Sequence, residues 1–161
     1  MNLERLKQIL CYDPIQGKIT NRKSGRLLVQ DDYGFLIIYD NITKKKYKIK
    51  AIKIAWELGY NQVLPDNLKL LNRNLVDTDI RLNNLLVLNR KEYLKVTEAV
   101  RNMDRLKLIP HPDDQYSYVI SYQLNGAEKR EVIYDIVAAK QQLLKLQLKY
   151  TKIINKYCIF D

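Results

Sequence analysis

Between Asp135 and Tyr157 the chain runs without a proline or a glycine, whereas the sequence before it is cut into short segments by turn chemistry. That contrast limits the fold more than any other feature. The uninterrupted stretch places Ile136, Leu143, Tyr150, Ile154 and Tyr157 on one side and predicts a single helix of roughly 35 Å. The segments ahead of it have room only for short strands and helices. Residues 2–11 carry Leu3, Leu6, Ile9 and Leu10 at helical spacing, and Asp13-Pro14-Ile15-Gln16-Gly17 is a turn. Strands are expected over Lys18–Asn21, Arg26–Gln30, Tyr33–Asp40 and Lys45–Lys50, then a helix through Ile52, Ile54-Ala55-Trp56 and Leu58 that Gly59 would stop.

Residues 61–89 show little periodicity, and 90–104 read as a helix. Pro110-His111-Pro112-Asp113-Asp114 reads as a linker. Beyond it, Gln115–Leu124 alternates with Tyr116, Tyr118, Ile120, Tyr122 and Leu124 facing one way. Asn125-Gly126 then signals a hairpin and Glu128–Ile133 returns. Tyr33–Trp56 and Tyr116–Ala139 share one order: strand, turn with Asn, basic strand, helix. The expected class is α+β, with small antiparallel sheets and packed helices. The expected domains are 1–104 and a sheet-plus-long-helix module at 114–161, the latter a DNA reader or a dimerisation element.

Apolar residues make up 47% of the chain, so a packed core is within reach. No apolar run approaches the roughly 20 residues of a membrane span, and Met1-Asn2-Leu3-Glu4-Arg5 does not open like a secretory leader. These features predict a soluble, cytoplasmic protein. With one histidine and two cysteines, Cys11 and Cys158, the chain cannot assemble a four-ligand zinc finger. The cysteines read as thiols, and His111, between two prolines, reads as a linker residue instead of a firmly held base.

The net charge is +10, and residues 1–60 hold 12 bases against 6 acids. Such an excess suits a polyanion, because each Lys or Arg set on a phosphate releases condensed counterions. Lys44, Lys45, Lys46, Lys48, Lys50 and Lys53 form the densest cluster, which Arg22, Lys23 and Arg26 extend. On a strand, Lys46, Lys48 and Lys50 share one face and recur every 6–7 Å or so, a spacing that can follow a phosphate backbone. The same lysines would also serve to guard an edge strand against aggregation. Base edges are read by Arg, Asn or Gln, for which Arg73, Asn74, Arg81 and Asn83 are candidates, with Gln123, Lys129 and Arg130 near the C-terminus. Tyr116, Tyr118 and Tyr122 read as core residues and not as stacking platforms. Val137, Leu144 and Leu148 exceed what one buried stripe of the last helix needs, which means thorough burial or a homodimer contact.

Taken together, residues 3–93 resemble the HNH homing endonucleases of bacteriophages and mobile elements. The likeness rests on Tyr12-Asp13-Pro14 with Gly17-Lys18-Ile19-Thr20, on Ile54-Ala55-Trp56, and on Asn72–Tyr93. The tail from Gln115 is similar in outline to the Apetala-type three-stranded DNA-binding module. The resemblance implies a ββα metal region at about 67–104. There a His base activates water, one divalent metal steadies the phosphate, and an Asn braces the loop. Anchored on Asn84-Leu85, the bracing residue is Asn84. The base falls on Asn72, the acidic ligand on Leu71 and the helix ligand on Tyr93. The His ahead of Leu-Ala-Trp falls on Ile52, and the family's glycine after the base falls on Leu75.

Neither an amide nor an aliphatic chain can deprotonate water, and a phenol titrating near 10 is a poor ligand for Mg²⁺. No Glu-x-Lys or Asp-x-Lys and no Walker-type loop offers another route, and Asp77-Thr78-Asp79 reads as turn chemistry. The expectation is a catalytically inactive DNA-binding protein of phage or mobile-element origin in a bacterial host. It would need no cofactor or metal, would bind double-stranded DNA, and would act as a transcriptional repressor. The alternatives are a metal-dependent nicking endonuclease and a phage structural or assembly protein.

Overall fold

The computed structural model describes residues 1–124 and 127–158, apart from the side chains of Gln115 and Tyr116. Asn125-Gly126 therefore lies outside the described residues. The fold is mixed α+β, with four helices, three two-stranded antiparallel sheets and one three-stranded sheet among the described residues. The described residues divide into two compact units, 1–90 and 91–158.

In the first unit, Asn2 caps helix α1 (Leu3–Ile9) by accepting from the Arg5 backbone N–H at 2.9 Å. The helix is shorter than the apolar spacing predicts. Leu10 turns extended and starts β1 (Leu10–Asp13), which pairs with β2 (Lys18–Asn21). The strand expected over Arg26–Gln30 does not form: Leu27 makes one isolated bridge to Thr20. β3 (Phe35–Asp40) pairs with β4 (Lys45–Lys50), and α2 (Ala51–Tyr60) follows without a break.

Gly59 does not stop that helix. The left-handed cap is Asn61, whose N–H bonds the Glu57 carbonyl. Gly59 is needed for space, since a Cβ there would meet Leu82 Cδ1 at 2.5 Å. β5 (Leu68–Asn72) pairs with β6 (Leu85–Asn89), and a single 3₁₀ turn (Leu82–Asn84) precedes β6. These strands carry leucines on both faces, so alternation does not reveal them. The core gathers Leu6, Leu10, Ile19, Leu36, Ile38 and Ile54-Ala55-Trp56 with Ile80 and Leu85.

Helix α3 (Arg90–Arg105) starts on the last residue of the first unit, and from Lys91 it belongs to the second. β7 (Lys107–His111), β8 (Asp114–Leu124) and β9 (Ala127–Ile133) form the three-stranded sheet, against which α4 (Ile136–Tyr157) packs. The expected linker at 110–114 is the tight turn of the β7–β8 hairpin, and His111 is a strand residue opposite Asp114. Pro110 is tolerated because β7 is an edge strand, where a missing N–H breaks no ladder. Asp135 caps α4 through the Ala138 N–H at 2.7 Å. The helix buries Ala139, Leu146, Tyr150 and Ile154. Val137, Leu144 and Leu148 remain 58%, 56% and 54% exposed, so thorough burial is not their explanation. No helix among the described residues is long and apolar enough to cross a membrane.

Candidate nucleic-acid interface

The basic cluster lies on a two-stranded ribbon whose faces the side-chain period of 2 keeps apart. Leu36, Ile38 and Asp40 of β3 point into the core. Asp40 is anchored there by the Arg5 guanidinium, whose Nε donates at 3.1 Å while Nη2 bonds the second oxygen. That hydrogen bond from Arg5 holds the Asp40 carboxyl far below the usual carboxylate range. The opposite face carries Phe35, Ile37 and Tyr39, and the register sets them across from Lys50, Lys48 and Lys46. Ile37 is 62% exposed and Tyr39 46%, so the outer surface is three lysines interleaved with three apolar or aromatic side chains.

Two of these ammonium groups are steered. Lys48 pairs with Asp31 at 2.9 Å and lowers the Asp31 pKa, while Lys50 donates to the Tyr33 carbonyl at 2.9 Å. Both stand over the Phe35 ring, 4.8 and 4.7 Å from its centre. Lys44, in the turn with φ 57°, and Lys45 and Lys46 make no ion pair among the described residues. Phe35, Ile37 and Tyr39 escape sequence reading because Phe-Leu-Ile-Ile-Tyr is apolar on both faces. Only the pairing assigns them outward.

The other basic candidates are scattered. Lys53 reaches back to the buried Glu57 at 3.7 Å. Arg22, Lys23 and Arg26 follow β2, on a separate sheet, and Arg22 Nε donates to the Lys7 carbonyl at 2.8 Å. In the second unit, Lys129 and Arg130 point to opposite faces of β9. Arg130 pairs with Glu128 at 2.9 Å, and the Gln123 backbone is held by Asn102. The described tyrosines of β8 are half-buried. Tyr122 donates to Glu131, which with burial pushes its phenol up to about 12, and Glu131 accepts from Gln142 of α4 at 2.8 Å.

The loop from Asn72 to Asn84 is built by its own asparagines. Asn84 is buried; its Nδ2 donates to Asn74 Oδ1 at 2.9 Å and to the Asp79 carbonyl at 2.7 Å, while its Oδ1 accepts from the Asn74 N–H at 3.0 Å. Asn74 spends its amide inside the loop, donating to Asp79 at 2.7 Å. Arg81 grips the same carboxylate with Nε and Nη2, at 2.8 and 2.6 Å, and this holds the Asp79 pKa down. Asn72 donates to the Val76 carbonyl at 2.6 Å, and its Oδ1 is buried without a partner. Leu75 sits in the left-handed region at φ 60°, where a Cβ is disfavoured.

Arg73 is half-buried beside Asn84, Leu71 pairs with Leu86, Asn83 is exposed, and Tyr93 lies on α3 in the other unit. The Tyr-Asp-Pro turn braces this loop. The Tyr12 hydroxyl donates to the Ile80 carbonyl at 2.5 Å, Leu82 N–H donates to the Pro14 carbonyl at 3.0 Å, and Gly17 lies where a Cβ would be 2.8 Å from Arg81 N. Burial, with Asp13 nearby, pushes the Tyr12 phenol up to about 12. Among the described residues no three His, Cys, Asp or Glu side chains gather as a metal site. Comparisons with protein families, with curated proteins and with solved structures find no match to this chain.

Proposed function

We propose that this chain is a sequence-specific double-stranded-DNA-binding protein on an HNH-endonuclease-like frame, acting by occupancy without cutting, as a repressor of phage or mobile-element genes. The observation that carries DNA binding is the outward lysine face of β4, with Lys46, Lys48 and Lys50 in register on one exposed ribbon. A two-stranded ribbon of this kind fits a major groove.

Three features of the braced loop support the frame. Asn84 ties it together, Tyr12 and Gly17 buttress it, and Leu75 is left-handed at the position where the resemblance implies glycine. Occupancy without cutting rests on chemistry. The residue at the base position, Asn72, has an amide that cannot take a proton from water near neutral pH, and its nitrogen is committed to Val76.

A palindromic site would need a twofold protein. The exposed Val137, Leu144 and Leu148 are the surface a homodimer would use. Lys140, Lys145, Lys149 and Lys152 lie around it, so that dimer would tighten with salt while DNA binding weakens. Leu144→Glu should then give a monomer in gel filtration.

The test of function is recovery of genomic fragments on the protein, followed by gel shifts across a salt series. Selective binding that falls steeply with salt and needs no Mg²⁺ is expected. Equal binding to all fragments would remove specificity from the reading, and relaxed plasmid circles with Mg²⁺ or Mn²⁺ would replace it with a nicking enzyme.

A further inference from the structure

The outer face of the β3–β4 ribbon is divided lengthwise. Lys46, Lys48 and Lys50 stand along β4, and Tyr39, Ile37 and Phe35 stand opposite them along β3. Paired strands run about 4.8 Å apart, so a lane of charge lies beside a lane of apolar side chains on one surface. The lysines suit a phosphate backbone or guard an edge. Neither task explains the second lane. Ile37 is 62% exposed and Tyr39 46%, where polar side chains would keep the ribbon better solvated.

Ile37 narrows what that lane can meet. An aliphatic side chain makes no hydrogen bond and does not stack as a flat ring does, so it reads no donor or acceptor on a base edge. Phe35 is not open to a stacking base either, with the Lys48 and Lys50 ammonium groups over its ring at 4.8 and 4.7 Å. Among the groups that bases present in the major groove, the apolar one is the C5 methyl of thymine. The spacing agrees. Side chains two apart on a strand recur every 6–7 Å or so, about two base-pair steps at roughly 3.4 Å each. With β4 against one phosphate wall, β3 lies inward of it, over the base edges.

We propose that the β3 lane reads thymine: Ile37 and Tyr39 pack on C5 methyl groups two base-pair steps apart in the major groove, while Lys46, Lys48 and Lys50 hold the flanking phosphates. Base reading of this kind rests on the proposed DNA binding and adds a base identity to it. The test is anisotropy titration of the full chain with a short duplex of alternating A and T, which repeats a methyl on each strand at every second step. The same duplex with uracil in place of thymine is the comparison. Uracil keeps every hydrogen-bonding group of thymine and lacks only the methyl.

The thymine duplex should bind about tenfold more tightly, the scale of two methyl groups taken out of water. Ile37→Ser with Tyr39→Ser, both at exposed positions, should bring the two duplexes level and leave the salt slope unchanged, because the lysines set it. The uracil comparison alters only the DNA, so a poorly folded variant cannot imitate it. Equal binding of the two duplexes by the unaltered chain would overturn thymine reading and leave DNA binding in place. So would a double variant that still separates them, which would put the methyl contact elsewhere in the chain. A single strand of thymidines bound more tightly than either duplex would make the lane a stacking platform and overturn it too. No binding to either duplex, with no genomic fragment retained, would remove DNA binding and thymine reading together.

Discussion

The two units use one sequence order, hairpin then helix, to opposite ends. In the first, the β3–β4 ribbon buries its apolar face, displays its lysines, and runs into a helix whose Ala51, Ile54, Ala55 and Trp56 are all buried. In the second, the β8–β9 hairpin turns Ile120 and Tyr122 toward its helix, and it is the helix that shows an apolar ridge outward. A shared order of elements therefore does not decide which element meets a partner. The position of the core does. The first unit offers a charged sheet, the second an amphipathic helix.

The largest expected effects test whether the two units are separate folding bodies. Ile54→Ala and Ile120→Ala each remove a fully buried side chain and should cost about 2–5 kcal/mol. Hydrogen exchange should place the loss in the unit that carries the change; if Ile54→Ala also strips protection from β8 and β9, the units unfold as one.

Next comes the interface. Changing Lys46, Lys48 and Lys50 together to Glu should weaken DNA binding by about 100-fold and reduce the salt slope by about 2, since Lys48 already pairs with Asp31. Lys129→Glu with Arg130→Glu should do far less, because these two side chains point to opposite faces of β9 and cannot follow one phosphate backbone together. Equal losses in anisotropy titrations would move the interface to the second unit.

A smaller effect belongs to the braced loop. Leu75→Gly relieves the left-handed strain at some cost in chain entropy, so denaturant melts should show a gain of about 0.5–1 kcal/mol. A loss would mean that the Leu75 side chain matters more than its backbone.

The smallest effects are pH dependences; Tyr122 gives the second unit an alkaline one, and the first unit has one at each end. Its Tyr12 phenol is raised in the fold, so that stabilisation is complete below about pH 10 and fades as the pH climbs toward 12. The Asp40 carboxyl is lowered, so its contribution is present above about pH 4 and fades on acidification. A flat melting temperature across either window would show that these groups do not sense folding.

Several features could be read from local pattern alone, because local pattern is what periodicity and turn chemistry report. The lysine face of β4, the long last helix with its Asp135 cap, and a turn at Asp13–Gly17 need only neighbours in sequence. The residues that arrange the candidate site were not legible, since their roles depend on distant partners. Gly59 looks like a helix stop until Leu82 is seen against it, and Asn102 looks like an ordinary helical residue until it is seen holding β8. Pro110-His111-Pro112 looks like a linker because the strand that covers it comes later in the chain.

The sequence by itself therefore determined the mixed class, the hairpin-then-helix order around β3–α2 and β8–α4, and the excess of positive charge, but not β5, β6 or β7. All three follow from composition and short-range spacing. Only the tertiary structure decided that Ile37 and Tyr39 face outward beside the lysines, that Leu75 is held left-handed, and that Tyr150 is buried with its hydroxyl unpaired. The reason is physical: which face is buried depends on what packs against it, and that partner lies elsewhere in the chain.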